Sequence, residues 1–406
     1  MAPRLRSAVV RFDALPVPVW RVLFLALPVD ARARAACVCR SWRAFLADPS
    51  LWQVLDLTRS GGVVALCVKE NLVLGAVARA AGRLRVLSFS DDSTQRVKEV
   101  LFEFILSDGA ELEQIHTNVR LSVDTLDAVF AAAPRLQVLN TDVTDLCTAL
   151  LPVLRNDPPY GPLRVRKLFV HFGREVGTAA EDADVLALAA AVAAHESLKY
   201  LSLLDADYAR GLNALVNASA HRRVAELQLI ECVLDAESVL ALARLLQRGS
   251  LTKLDIACDD FPGGSEASAE ELWAAVRSCR TLTHLELQIN PPDGTDRRDI
   301  MELIDAAAAL PALSVLDLSF SKIDDKAAAG HALRALLRAN LPNLRTLRLH
   351  CCDLGDEGLA PLLDGLAANT HLRELDCGGT NVSEAFERGR LLPAVAELIA
   401  RDNFDT

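Results

Sequence analysis

The side chains of this sequence that could do chemistry are eight histidines, ten cysteines and a spaced set of carboxylates. His116, His171, His195, His221, His284, His331, His350 and His371 are scattered. None stands in an HExxH pair or beside the ligand set that zinc requires. Cys37-Val38-Cys39 and Cys351-Cys352 are spaced too tightly for a CxxC half-site, and no second pair completes one. Gly61-Gly62, Gly263-Gly264 and Gly378-Gly379 lack the Lys-Ser/Thr that completes a phosphate loop, so they read as turns. The expectation is a chain without catalytic residues, metal or cofactor of its own. Asp255, Glu286 and Asp317, each 31 residues from the next, point instead to recognition of a cationic partner.

Their even spacing follows from a repeat. The pattern LxxLxL, with other aliphatics allowed, starts at Leu84, Leu112, Leu136, Val165, Leu198, Val224, Leu251, Leu282, Leu313, Leu344 and Leu372, at intervals of 24 to 33 residues. Its alternation predicts a short strand with one buried face. The stretches Asp235–Gln247 and Asp356–Ala368 carry Leu or Ala at helical spacing, with Asp or Ser commonly placed to cap. A strand and helix of that length cannot bury their faces alone, so each copy must stack on the next. The length agrees: 406 residues is long for one core. Eight residues after the first aliphatic come Thr144, Cys232, Asp259, Asn290, Ser321, Cys352 and Thr380, small side chains expected to satisfy turn backbone inside the stack.

In such a stack the residues two, four and six after the first aliphatic share one face. That face is predicted to gather Phe169, His171, Tyr200, Leu204 and Ile230 into an apolar, aromatic patch of the kind that marks partner sites. Further along it places Asp255, Glu286 and Asp317 on neighbouring strands, followed by Arg348. Unit charges ~4.8 Å apart repel by a few kcal/mol before screening, so either a basic target segment or Lys253, His284 and Arg348 must neutralise the row. The segment from Leu344-Arg-Thr-Leu347-Arg-Leu349 through Cys352-Asp-Leu354 to Gly358-Leu359 resembles a leucine-rich repeat of the ribonuclease-inhibitor type. The resemblance covers roughly residues 52–400 and implies an α/β fold, a curved solenoid with parallel strands concave and helices convex.

Residues 12–57 break the pattern. Eight Arg stand against four Asp in residues 1–57, a charge of +4, so with −11 for the whole chain the remainder carries −15. That balance disfavours nucleic acid and anionic membrane as partners. Pro16, Pro18 and Arg21 interrupt the apolar run Val17–Val29, which is too short to span a bilayer. The ten cysteines form no dense framework and read as reduced thiols of a cytoplasmic or nuclear protein. Apolar residues at helical spacing between Pro16 and Pro28 predict a small all-α module that docks a partner. The series Leu15-Pro16, Leu23-Phe24, Leu27-Pro28, Val38-Cys39, Trp42-Arg43, Pro49 and Leu51-Trp52 resembles an F-box.

That resemblance implies docking to the Skp adaptor, and through it to the cullin and RING subunits of a ubiquitin ligase. Leu15, Pro16, Leu23, Phe24, Leu27 and Pro28 would form most of the surface, with Val38, Trp42 and Trp52 partly core and partly interface. Arg32, Arg34, Arg40 and Arg43 read as solvated faces or as contacts to acidic groups of that partner. The organisation expected is a tail at 1–11, an F-box at 12–57, repeats at 58–400 and a tail at 401–406. The function implied is a substrate receptor, with the repeat face holding the target for ubiquitination. The alternative is a scaffold or inhibitor that binds its partner without degradation.

Overall fold

The computed structural model describes residues 16–57, 75–80, 82–89, 95–120, 123–142, 165–171, 186, 188–193, 195, 197–204, 209–221, 224–232, 234–258, 266–288 and 299–404. Leu15, Thr144, Asp259 and Asn290 lie outside them, as does the side chain of His171. The chain falls into two compact units, one running to Asp142 and the other from Arg166 onward.

The first unit opens with three short helices, α1 (Val17–Ala26), α2 (Val29–Ala35) and α3 (Arg40–Phe45). Pro16 and Pro28 sit at the N-caps of α1 and α2, where a missing N–H costs nothing. Cys39 caps α3, its sulfur accepting from the Trp42 N–H at 3.4 Å. A 3-10 turn, Pro49–Trp52, leads into β1 (Val54–Asp56). Then come β2 (Val86–Phe89), α4 (Gln95–Asp108), β3 (Gln114–Arg120), α5 (Val123–Ala132) and β4 (Val138–Asp142). The strands are parallel and pair in sequence order, Leu55 beside Leu87 beside Ile115 beside Leu139, all buried.

The second unit repeats that strand–helix step. Its strands are β5 (Lys167–His171), β6 (Tyr200–Leu204), β7 (Glu226–Ile230), β8 (Lys253–Ala257), β9 (His284–Gln288), β10 (Val315–Asp317), β11 (Thr346–Arg348) and β12 (Glu374–Asp376). Between them lie α6 (Ala209–His221), α7 (Ala236–Gln247), α8 (Glu266–Ser278), α9 (Asp299–Ala308), α10 (Lys326–Arg338) and α11 (Gly355–Leu366). The helix α12 (Leu392–Phe404) follows the last strand. Leu168, Leu201, Leu227, Leu254, Leu285, Leu316, Leu347 and Leu375 form one buried row across the register. Strands pack ~4.8 Å apart and helices ~8–10 Å apart, so the strand side of the unit is the inner one.

The capping expectation holds for α7, where Asp235 accepts from the Ser238 N–H at 2.8 Å, and fails for α11. There Leu354 is the N-cap, and Asp356 instead accepts from the N–H and hydroxyl of Ser383 in the next repeat. The small-residue row reaches back one repeat, to the carbonyls of Leu203 from Cys232, Leu287 from Ser321 and Leu318 from Cys352. In the β8 repeat Cys258 donates to the Leu229 carbonyl at 3.5 Å, and the predicted Asp259 next to it lies outside the described residues. Thr380, last in the row, turns to the Cys377 carbonyl of its own repeat.

Candidate functional site: an apolar helix face and a charged strand face

Leucine and valine on a short two-sided helix cannot all find cover, and α1 shows the consequence. Its inner side seats Phe24 in a cluster of rings, 5.3 Å from Trp42, 5.6 Å from Phe45 and 6.1 Å from Trp20. Its outer side leaves Val17, Val19, Val22, Leu23 and Leu25 in solvent, joined by Val38 beyond α2. These are six of the eleven large apolar side chains exposed among the described residues. Of the predicted docking residues, Pro16, Leu23, Pro28 and Val38 are exposed, and Leu27 and Trp42 are half-buried.

Phe24 is a correction, and Trp52 falls on the core side of its partly-core, partly-interface reading. Both are buried, and Trp52 donates its indole N–H to the Leu46 carbonyl at 2.8 Å. Neither side chain can meet an adaptor without opening the module. Arg32 corrects the reading of that arginine as a solvated or partner-facing charge. It is buried, with its guanidinium 5.5 Å from the Trp52 ring and donating to the carbonyls of Phe24 (3.0 Å), Leu27 (3.0 Å), Leu25 (3.3 Å) and Leu51. At the C-terminal end of α1 the Phe24 carbonyl accepts from the Leu27 N–H as well, and Arg32 supplies the donors for the Leu25 and Leu27 carbonyls. Val17, Val19, Val22 and Leu25 are the surface residues the motif match missed. The 3.6-residue period of α1 was the available signal.

The strand face keeps the predicted register. Phe169, Ser202, Gln228, Asp255, Glu286, Asp317, Arg348 and Asp376 stand side by side on successive strands. The aromatic patch forms, but it is packed rather than open. The Phe169 and Tyr200 rings lie 4.7 Å apart, the Lys167 ammonium sits 5.2 Å from the Tyr200 ring, Tyr200 is buried, and Phe169, Leu204 and Ile230 are half-buried.

Polar groups tie this patch to the carboxylates. The hydroxyls of Tyr200 and Ser202 donate to the Gln228 carbonyl oxygen at 2.6 and 2.8 Å, and the Gln228 amide donates to Asp255 at 2.7 Å. Burial pushes the Tyr200 hydroxyl up to about 12. Asp255 is also buried. Desolvation, then the neighbouring Glu286, pushes its carboxyl up to about 6, against the Gln228 hydrogen bond and Lys253.

Neutralisation from within is thus partial. Lys253 lies 3.8 Å from Asp255 and 3.5 Å from Glu286, and Arg348 lies 3.7 Å from Asp317 and 3.2 Å from Glu374. The predicted stripe therefore forms, but two of its three carboxylates, Asp255 and Asp317, are buried. Toward the C-terminal ends of β8–β12 the face deepens into a groove of about 540 Å³, lined by Glu286, Asp317, Phe320, His350 and Asp376 among others. Phe320 and His350 were not singled out from the sequence. Phe320 lies in a turn after β10, where no alternation reports direction.

Burial pushes the Cys352 thiol up to about 12, so it is not poised as a thiolate nucleophile. Among the described residues, no cluster of three His, Cys, Asp or Glu could hold a metal, and no helix is long and apolar enough to cross a membrane.

Known proteins agree with this anatomy. An F-box-like family model matches residues 12–58, and a Leucine Rich repeat model matches residues 340–363. The F-box/LRR-repeat protein 21 of Mus musculus is 26% identical over 161 residues, 39% of this chain and 34% of that protein. Its counterpart in Bos taurus is 26% identical over 163 residues, 40% and 35% of the two chains. The alignment thus spans about a third of the length of these relatives. Among solved structures, a chain of the Rad7 and Elc1 complex in yeast is 15% identical, with a TM-score of 0.39 over 77% of this chain and 90% of that one. That likeness is too loose to carry an argument.

Among the described residues, parallel strands in sequence order, most of them followed by a helix and tied by a row of small donors, define a leucine-rich-repeat array. With its N-terminal module, the chain joins an F-box-like segment to leucine-rich repeats, the same combination as in the F-box/LRR-repeat proteins it is similar to.

Proposed function

We propose that this chain is the substrate-receptor subunit of a Skp–cullin–F-box ubiquitin ligase, working in the cytoplasm or nucleus. The F-box docks the Skp adaptor through the outer face of α1, and the strand face of the repeats holds the target. Ubiquitin transfer itself belongs to other subunits. One observation carries the adaptor half: more than half of the exposed large apolar side chains of the described residues crowd between Val17 and Val38. A soluble surface tolerates scattered apolar residues, but a concentration on one short segment marks a protein contact. The eight described cysteines are free thiols, which fits a reducing compartment.

The test is capture of a purified Skp adaptor by the full chain. Val22→Asp and Leu23→Asp alter exposed positions, so the fold should stand while capture falls by at least about tenfold. Failure of the wild-type chain to capture the adaptor would overturn the reading.

A further inference from the structure

The groove over β8–β12 can be read for what it would hold. Across β7–β12 the strand face presents Glu226, Asp255, Glu286, Asp317, Glu374 and Asp376 against Lys253 and Arg348, a formal balance of −4 leaving histidines out of the count. The carboxylates are not equivalent. Asp255 and Asp317 have side chains only 7% and 10% exposed, and they are engaged from within by the Gln228 amide and the Ser319 N–H. Glu286 and Asp376 also have partners, Lys253 at 3.5 Å and the Gly378 N–H at 2.9 Å, but they are 44% and 43% exposed and line the groove. Between them in chain order stand Phe320, 57% exposed, and His350, whose ring meets Phe320 edge-on at 5.6 Å. The groove therefore combines a net negative charge, part of it open to solvent, with an accessible aromatic ring, and both attract a cation on an aliphatic stem.

We propose that the groove is the target-reading site and that its occupant is an extended segment of a partner protein bearing Arg or Lys, held by Glu286 and Asp376 and packed against Phe320. This deepens the receptor reading and rests on it for the word target. The buried pair, Asp255 and Asp317, acts as a fixed negative floor. The residues that discriminate are the two outer carboxylates and the ring.

The experiment uses the full chain and fluorescent twelve-residue peptides of alternating Arg and Gly, with Glu–Gly peptides of equal length as control. Anisotropy should show saturable binding of the Arg peptide alone, weakening as salt rises. Glu286→Gln with Asp376→Asn, a pair with little effect on folding, should weaken binding about tenfold, and Phe320→Ala about threefold. Glu357→Gln with Asp364→Asn removes the same charge from exposed sites on α11 and should leave binding unchanged. Equal loss in that control pair, no loss in the groove pair, or equal binding of the Glu peptide overturns the proposal. Adaptor capture, measured on the same samples, separates the two ideas. Capture without Arg-peptide binding sinks the groove assignment alone, and peptide binding without capture sinks the receptor reading alone.

Discussion

The outer face of α1 and the strand face of the repeats, the two surfaces proposed to meet partners, are built on opposite principles. On α1 the apolar side chains point outward and the polar groups are inside, where Arg32 satisfies the carbonyls of Phe24, Leu25, Leu27 and Leu51. On the strands the apolar residues are buried in rows, and the outward positions are linked by hydrogen bonds from Tyr200 through Gln228 to Asp255. An apolar face gives affinity with little discrimination, which suits a contact shared by many chains. A charged, internally braced face gives discrimination, because a wrong partner leaves charges unpaired.

The sharpest way to break this contrast is to attack the polar interior of the module. Arg32→Ala removes the side-chain donor shared by the carbonyls of Phe24, Leu25, Leu27 and Leu51, and the cost should be about 3 kcal/mol or more. Arg34→Ala, two residues along and exposed, should change stability by no more than about 0.5 kcal/mol. Urea unfolding followed by tryptophan fluorescence reads the pair, since Trp20, Trp42 and Trp52 all lie in the module. Equal effects of the two substitutions would remove the claim that Arg32 is part of the core.

A second contrast concerns what supports the repeats. If the strand face serves recognition, stability must come from behind it, where α10 and α11 meet through glycines. A Cβ on Gly330 would overlap the Gly358 carbonyl, and one on Gly358 would come within 2.9 Å of the Lys326 carbonyl. Gly330→Ala should therefore cost about 1–3 kcal/mol despite the better helix propensity of alanine. Glu286→Gln on the opposite side should cost less than about 0.5 kcal/mol. Comparable losses, measured by thermal unfolding, would mean that the face is as structural as the helix packing.

Much of this was legible in the sequence. Alternation of aliphatics fixes strand direction and register, because a one-residue slip would turn every leucine to solvent. So the row from Phe169 to Asp376 could be written down before any coordinates. What could not be read was depth. Asp255, Glu286 and Asp317 occupy equivalent positions, yet Asp255 and Asp317 are buried and Glu286 is half-exposed. The side chains of Gln228, Lys253 and Arg348 on neighbouring strands decide that difference. In the module the motif located the helices but could not distinguish Arg32 from Arg34, because which one faces inward depends on where α2 sits.

The subtlest expected effect lies at the joint between the braced and reachable parts of the strand face. Folded Asp255 holds its proton up to about pH 6, whereas an unfolded aspartate releases it near 3.8. Across that window the folded state binds more protons, so this group's contribution to stability is full below the unfolded value and fades as pH rises through about 6. The charges that bear on it are Glu286 and Asp317, which favour the proton, and Lys253, which with the Gln228 amide opposes it. Asp255→Asn removes the titration while keeping the shape of the side chain. The stability of the wild type relative to this variant should therefore fall by about 1 kcal/mol from pH 5 to pH 7.5, read by parallel urea titrations. A rise instead would mean that Lys253 and Gln228 hold Asp255 as a carboxylate. The buried floor of the groove would then be an ion pair, and the charge open to a partner correspondingly smaller.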